Sequence, residues 1–144
     1  MSHKRRLITT FIVIGTAAIA ALHLRAAWDV AYSRSCSGHL ARQIQWLCRN
    51  ATPKGHCPAL GDLSGFHKNA VVSSPNKFAF VSHGLLCSVE REKAHAPCSI
   101  VIRIGSPVLL TQVVTLGRDG RMRVLEPIVK GGVLRSLKQK KEGE

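Results

Sequence analysis

The sequence predicts an α+β protein, in which an N-terminal transmembrane helix continues into an amphipathic helix packed on a mostly antiparallel sheet of four to five strands. Three observations support this prediction. An uncharged run of 18 residues, 7–24, follows a basic N-terminus. Apolar residues then recur at helical spacing as far as about residue 50, and from residue 78 onwards the pattern is typical of strands.

The first two segments predict a membrane anchor. The cytoplasmic basic flank, 1–6, contains Lys4, Arg5 and Arg6, and a spanning helix needs about 20 apolar residues, with roughly 17 as the lower limit. Segment 7–24 therefore meets the requirement, and the basic flank predicts a single-pass protein of the inner (cytoplasmic) membrane with its C-terminal domain in the periplasm. A cleaved signal peptide is the alternative, with "AIA" at 18–20 as a small-x-small cleavage site.

The helical pattern continues through an amphipathic segment, 25–50. Leu40, Ile44 and Leu47 form one apolar stripe together with Cys48, and Pro53 ends the pattern. Residues 51–77 are rich in Pro, Gly, Ser and Asn, so we expect a loop region with at most a short strand at "AVV".

Residues 78–127 predict an antiparallel β domain. In "CSIVIRIG" the isoleucines at 100, 102 and 104 share one face, and Arg103 points to the other. Asp119-Gly120 is a strong hairpin signal, because type I′ turns need residues that tolerate positive φ. Residues 128–144 are expected to form a basic, polar tail.

Composition restricts the partners and the compartment. The chain has 21 Lys+Arg against 8 Asp+Glu, giving a net charge of +13, which favours acidic partners such as nucleic acid or anionic lipid. Five cysteines in an exported domain suggest two disulfides. Local spacing favours Cys48–Cys57 and Cys87–Cys98, which leaves Cys36 over, although sequence cannot establish the connectivity.

Metal and enzyme chemistry are poorly supported. His39, Cys48, His56 and Cys57 are zinc ligands by type, but there is no Cys-x-x-Cys pair. The acidic residues are scattered, and no nucleophile elbow or phosphate-binding loop is present. We therefore expect neither a cofactor nor an enzymatic activity.

Three stretches carry a family resemblance. "FIVIGTAAIAALHLRAAWDVAYSRS" is similar to the helix of type IV pilins and type II secretion pseudopilins, "LARQIQWLCRN" to the helix end of minor pilins of the FimT/GspH type, and "VVTLGRDGRMRV" to their last hairpin. The resemblance implies a subunit or accessory of a type IV pilus, secretion or DNA-uptake machine, with other pilus or envelope-complex subunits as partners and N-terminal methylation if the chain is processed. The prepilin glycine and glutamate are absent, so a non-pilin membrane-anchored adaptor of an envelope or conjugative secretion complex stays open.

The final hairpin predicts a basic surface. Some minor pilins of this type contact DNA through a Gly-Arg-x-Arg element, and the resemblance carries that role to Gly120, Arg121 and Arg123. With Arg103 and Arg118, Arg121 and Arg123 are expected to form one patch that binds DNA without sequence preference. The alternative is a solvated hairpin whose charges keep a sheet edge from aggregating.

Overall fold

A computed structural model describes residues 2–53, 56–92, 98–117, 119 and 121–129 of the 144-residue chain. The chain divides into two compact units, Met1–Tyr32 and Ser33–Glu144. One α-helix, α1, His3–Asn50, contributes to both units. The structure is therefore a long N-terminal helix followed by an antiparallel sheet, which confirms the α+β class.

The first unit consists of the N-terminal part of α1, and its apolar side chains are exposed. An 18-residue window of the helix has a mean hydropathy of 2.1, and none of that window is buried. The helix is therefore long and apolar enough to cross a membrane.

In the second unit, the remaining part of α1 buries one face. Small residues come first on this face and larger ones follow, at spacings of three and four that place them on one stripe: Ser33, Cys36, Ser37, Leu40, Ala41, Ile44 and Leu47. Cys36 lies against Cys87 of the sheet, with 3.2 Å between the two sulfurs. The helix therefore packs on the sheet through the stripe that the sequence predicts.

Seven strands form a single sheet within the described part of the chain. All pairs are antiparallel and follow the order β1-β2-β3-β4-β5-β6, while β7 also pairs with β5. The strands are β1 Ala70–Ser73, β2 Lys77–Ser82, β3 Leu85–Arg91, β4 Cys98–Ile104, β5 Leu110–Leu116, β6 Met122–Val124 and β7 Ile128–Val129. The sheet is larger than the predicted four to five strands. It also contains β1, at the "AVV" stretch where at most a short strand was expected, and β7, which has only two residues and shows no alternating pattern.

Two regions that were predicted to lack regular structure contain some. Residues 51–77 include a 3-10 helix that was not predicted, Leu60–Gly65, whose Leu60 and Leu63 are fully buried. They also include β1, at the "AVV" stretch where at most a short strand was expected. The predicted tail begins with β7, and residues 130–144 lie outside the described part. Buried leucines one turn apart explain why this Pro/Gly-rich stretch is held against the core.

The β2–β3 hairpin has a tight, two-residue turn. Ser82 pairs with Leu85, so His83 and Gly84 form a two-residue loop. Their φ angles are 50° and 76°, as a type I′ turn requires. The hairpin that was predicted at Asp119-Gly120 joins β5 to β6, but Gly120 lies outside the described residues.

The core lies between α1 and one face of the sheet. Strand register places Phe80, Cys87, Ile104 and Leu110 side by side across four strands, and all of them are buried. Ile100 and Ile102 belong to the same face, as the alternation predicts. The described residues include three buried polar side chains, Ser33, Ser37 and Gln112, and the Gln112 amide Nε2 donates to the Leu125 carbonyl at 3.2 Å.

Candidate functional site

A basic cleft of about 680 Å³ lies within the second unit, between the C-terminal end of α1 and the β5–β6 hairpin. Helix residues form one wall, and hairpin residues form the other. Its lining side chains are mostly polar: Gln45, Cys48, Arg49, Thr52, Pro53, His56, Leu116, Arg121, Met122 and Arg123. No acidic residue is among these lining residues.

Three arginines give this basic cleft its charge. Arg49 lies in the last turn of α1, Arg123 lies in β6, and Arg121 directly precedes β6. All three are exposed at their position in the fold. Arg49 comes from the helix and the other two come from the hairpin. Strand register places Arg123 on the sheet face away from α1, so the hairpin arginines border the cleft from the edge strand β6.

The hairpin holds Arg121 through local hydrogen bonds. The Gly117 N–H donates to the Arg121 carbonyl at 2.9 Å, and the Arg121 N–H donates to the Asp119 carboxylate at 3.1 Å. A Cβ at Gly117 would lie 2.7 Å from that carboxylate, so a larger residue there would displace the Asp119 side chain. The turn therefore positions the backbone of Arg121 and leaves its side chain accessible.

Two negative charges near the basic cleft reduce its positive potential, but neither cancels it. The Asp119 carboxylate lies 3.7 Å from Arg121 Nε, yet the two side chains are 62% and 85% exposed. Such a surface ion pair is worth little because water screens it. The C-terminal end of α1 carries roughly half a negative charge, which the three full positive charges of the arginines exceed. The net potential therefore favours an anion.

The predicted four-arginine patch is only partly assembled in the structure. Arg121 and Arg123 lie together, and Arg118 is outside the described residues. Arg103 pairs in register with Thr111, whereas Arg123 pairs with Thr115, so these two arginines share a sheet face but are four positions apart along β5. Arg103 does not line the basic cleft.

Arg103 has a different role. Its guanidinium lies 3.6 Å from the Glu90 carboxylate on the adjacent strand, and both side chains are roughly half exposed. It therefore contributes a cross-strand ion pair on the face of the sheet that points away from α1.

Sequence reasoning missed Arg49 as a site residue. It lies more than seventy positions from Arg121 along the chain, so no local motif links the two. The available signal was its place in the last turn of the predicted helix, where a cation also interacts favourably with the helix dipole.

The cysteine pairing differs from both predicted bridges. Cys57 is bonded to Cys98, with 6.3 Å between their Cα atoms and 41 residues between them in sequence. This bond uses one cysteine of each predicted pair, Cys48–Cys57 and Cys87–Cys98, and therefore corrects both. The local spacing was misleading because folding brings the segment after α1 against the start of β4.

Three thiols are free in the structure, namely Cys36, Cys48 and Cys87. Cys48 lines the basic cleft, and partial burial raises the pKa of its thiol. Among the residues that the structure describes, no group of three or more His, Cys, Asp or Glu side chains could hold a metal ion.

No protein-family model matches the chain, and neither the curated proteins nor the solved structures give a significant match. The chemistry of the basic cleft is therefore inferred from its own residues. Guanidinium groups are planar, permanently charged and able to donate paired hydrogen bonds to phosphate oxygens. Three of them around one cleft suit a ligand with several anionic oxygens.

Proposed function

We propose that this protein is a single-pass envelope protein whose outer domain binds nucleic-acid phosphate, weakly and without sequence preference, in the basic cleft. One observation carries the proposal: Arg49, Arg121 and Arg123 line one cleft, and none of its described lining residues is acidic. Nucleic acid is the partner because its regularly spaced phosphates match several arginines at once. The chain's net charge of +13 would add long-range attraction.

Membrane anchoring is supported by the sequence around the exposed apolar part of α1. Lys4, Arg5 and Arg6 precede it, which favours a cytoplasmic N-terminus and an outer domain in the periplasm. Trp28 and Tyr32 follow it and stack on each other, with 5.3 Å between ring centroids. Aromatic residues of this kind are enriched where a helix leaves a membrane.

Among single-pass envelope proteins, we propose that this chain is a pilin-like subunit or accessory of a type IV pilus, secretion or DNA-uptake machine. A 48-residue helix that is apolar in its first part and packs its second part on an antiparallel sheet supports the pilin-like candidate. A non-pilin adaptor is the second candidate, and the absence of any acidic residue before Asp29 favours it. Intact-mass measurement of the membrane-extracted chain separates them, since a shortened, N-methylated chain supports the pilin-like protein and a full-length, unmodified one supports the adaptor.

The binding strength should depend steeply on salt. Each phosphate that an arginine neutralises releases a counterion, so three contacts on duplex DNA give a log–log salt slope of about −3. The contacts are made to the backbone and carry no sequence information. Duplexes of unrelated sequence should therefore bind equally.

The test is a titration of duplex DNA against the full-length chain in neutral detergent at several salt concentrations. Changing Arg121→Gln and Arg123→Gln together should flatten the slope by about two units. The matched control removes the same charge elsewhere on the domain, with Arg34→Gln and Lys77→Gln, which are both exposed. This control should leave the slope unchanged.

Arg103→Gln distinguishes binding in the basic cleft from binding by the four-arginine patch that the sequence predicts. Because Arg103 pairs with Glu90 and does not line the cleft, its loss should not alter the salt slope. Equal binding by wild type and the Arg121/Arg123 double variant would overturn the nucleic-acid proposal. The hairpin arginines would then serve as a solvated sheet edge.

A further inference from the structure

The Cys36 thiol of α1 and the Cys87 thiol of β3 lie 3.2 Å apart and are both buried. We propose that these two cysteines form a second disulfide in the exported protein, which joins the helix covalently to the sheet and leaves Cys48 as the free thiol. This inference is independent of nucleic-acid binding. It concerns how the domain is held together in its compartment.

The geometry needs little adjustment. A disulfide has an S–S distance of about 2.05 Å, so the two sulfurs must approach each other by roughly one further ångström. Side-chain rotation at either cysteine moves a sulfur by that amount. Each cysteine is fixed in position by its element, since Cys36 belongs to the buried stripe of α1 and Cys87 pairs with Phe80 and Ile104 in the sheet.

The compartment supplies the driving force. Cys57 and Cys98 are already bonded in the same domain, and disulfides persist where the environment is oxidising. A second buried pair at this separation would be oxidised by the same agents. Cys48 cannot take either position because it lines the basic cleft, where no second cysteine is among the lining residues.

The oxidant is a disulfide-bearing thiol oxidoreductase or a small-molecule disulfide. One thiolate attacks the oxidant's disulfide and forms a mixed disulfide, which releases one oxidant thiolate. The second thiolate attacks the protein sulfur of that mixed disulfide and releases the other. Two protein thiols have then lost two protons and two electrons, and one oxidant disulfide has become two thiols.

The two thiols influence each other in the folded domain. The hydrogen bond from Cys87 lowers the pKa of Cys36 and outweighs the effect of burial. The same hydrogen bond raises the pKa of Cys87, because a thiolate at Cys36 would hold the Cys87 proton. Exchange would take place before the helix is fully packed on the sheet. Both sulfurs are then accessible and this hydrogen bond has not yet formed, so either thiol can attack first.

Tryptic mapping without reduction can resolve the connectivity completely, because each cysteine lies on a separate peptide. Cleavage after Lys and Arg places Cys36, Cys48, Cys57, Cys87 and Cys98 on peptides 35–42, 43–49, 55–68, 78–91 and 94–103. The full-length chain is extracted from membranes into detergent, alkylated under denaturing conditions to block free thiols, and digested.

We expect peptide 35–42 linked to 78–91, peptide 55–68 linked to 94–103, and 43–49 carrying the alkyl group. Cys48→Ser should leave both linked pairs intact and abolish alkylation. Cys36→Ser should convert peptide 78–91 to its alkylated form without affecting the other bridge. Alkylated peptides 35–42 and 78–91 from the wild-type chain would overturn the proposal, as would either peptide linked to a different partner.

Discussion

The two parts of α1 contain the same kinds of apolar residue but differ in how far these residues are exposed. In the first part, Leu7, Phe11 and Leu22 are 52%, 72% and 70% exposed. In the second part, Leu40, Ile44 and Leu47 are at most 2% exposed. Both parts are regular α-helix, so the difference lies in what surrounds them. The protein's own sheet buries the second part, whereas the first part keeps its apolar side chains exposed and is long and apolar enough to cross a membrane.

The largest expected effect comes from shortening a buried side chain in the second part. Ile44→Ala should lower the free energy of unfolding of the domain by about 2–5 kcal/mol, because it removes buried methyl groups and leaves a cavity. Urea unfolding in detergent measures this change by Trp46 fluorescence, in a Trp28→Phe background so that a single indole reports.

The matched control is Ile14→Ala in the first part, where the side chain is 60% exposed. That change should alter domain stability by less than about 0.5 kcal/mol. Equal losses in the two variants would show that the first part of α1 also contributes to the folded core, and the comparison between the two parts would fail.

A charge in the first part should act on membrane retention instead. Ile14→Asp lies near the middle of the run 7–24 and should disfavour insertion by about 3 kcal/mol, the scale for a carboxylate at the centre of a spanning helix. The measurement is the fraction of chain that resists alkaline extraction from membranes. Ile14→Leu keeps the hydropathy and should behave as wild type. If the aspartate variant is retained equally, the segment is not held by the bilayer core.

The smallest expected effect is a pH dependence at the contact between α1 and the sheet. His67 Nε2 lies 2.8 Å from the Gln43 side-chain oxygen, so the ring N–H donates to it, and the ring stacks on Phe80 at 4.0 Å. Burial lowers the pKa of His67 below its ordinary value of 6.5. The folded state thus resists protonation more than the unfolded state does.

The sign of the pH effect follows from that shift. Stability from neutral His67 is fully present above about pH 6.5 and is lost as the pH falls towards the lower pKa of the folded state. The urea midpoint of the domain should therefore be lower at pH 5.5 than at pH 7.5, and His67→Gln should reduce the difference. An unchanged difference in the variant would assign the pH dependence to another group.

Local pattern predicted the longer elements of this fold. The stripe of Leu40, Ile44 and Leu47 and the alternation through Ile100, Ile102 and Ile104 both predicted the faces that are buried. These signals are reliable because each one depends on the repeat of a single helix or strand. They failed where the elements are too short to show a repeat, as in the two-residue β7.

The sequence by itself therefore determined the α+β class, the apolar helix and the buried faces, since backbone periodicity encodes them locally. Only the tertiary structure decided which cysteines and which arginines meet. Cys57 bonds to Cys98 across 41 residues, and Arg49 joins Arg121 and Arg123 from the far end of a helix. Such neighbours depend on how α1 packs on the sheet and on strand register. Spacing along the chain carries no information about either, which is why the pairing of nearby cysteines was wrong and Arg49 was missed.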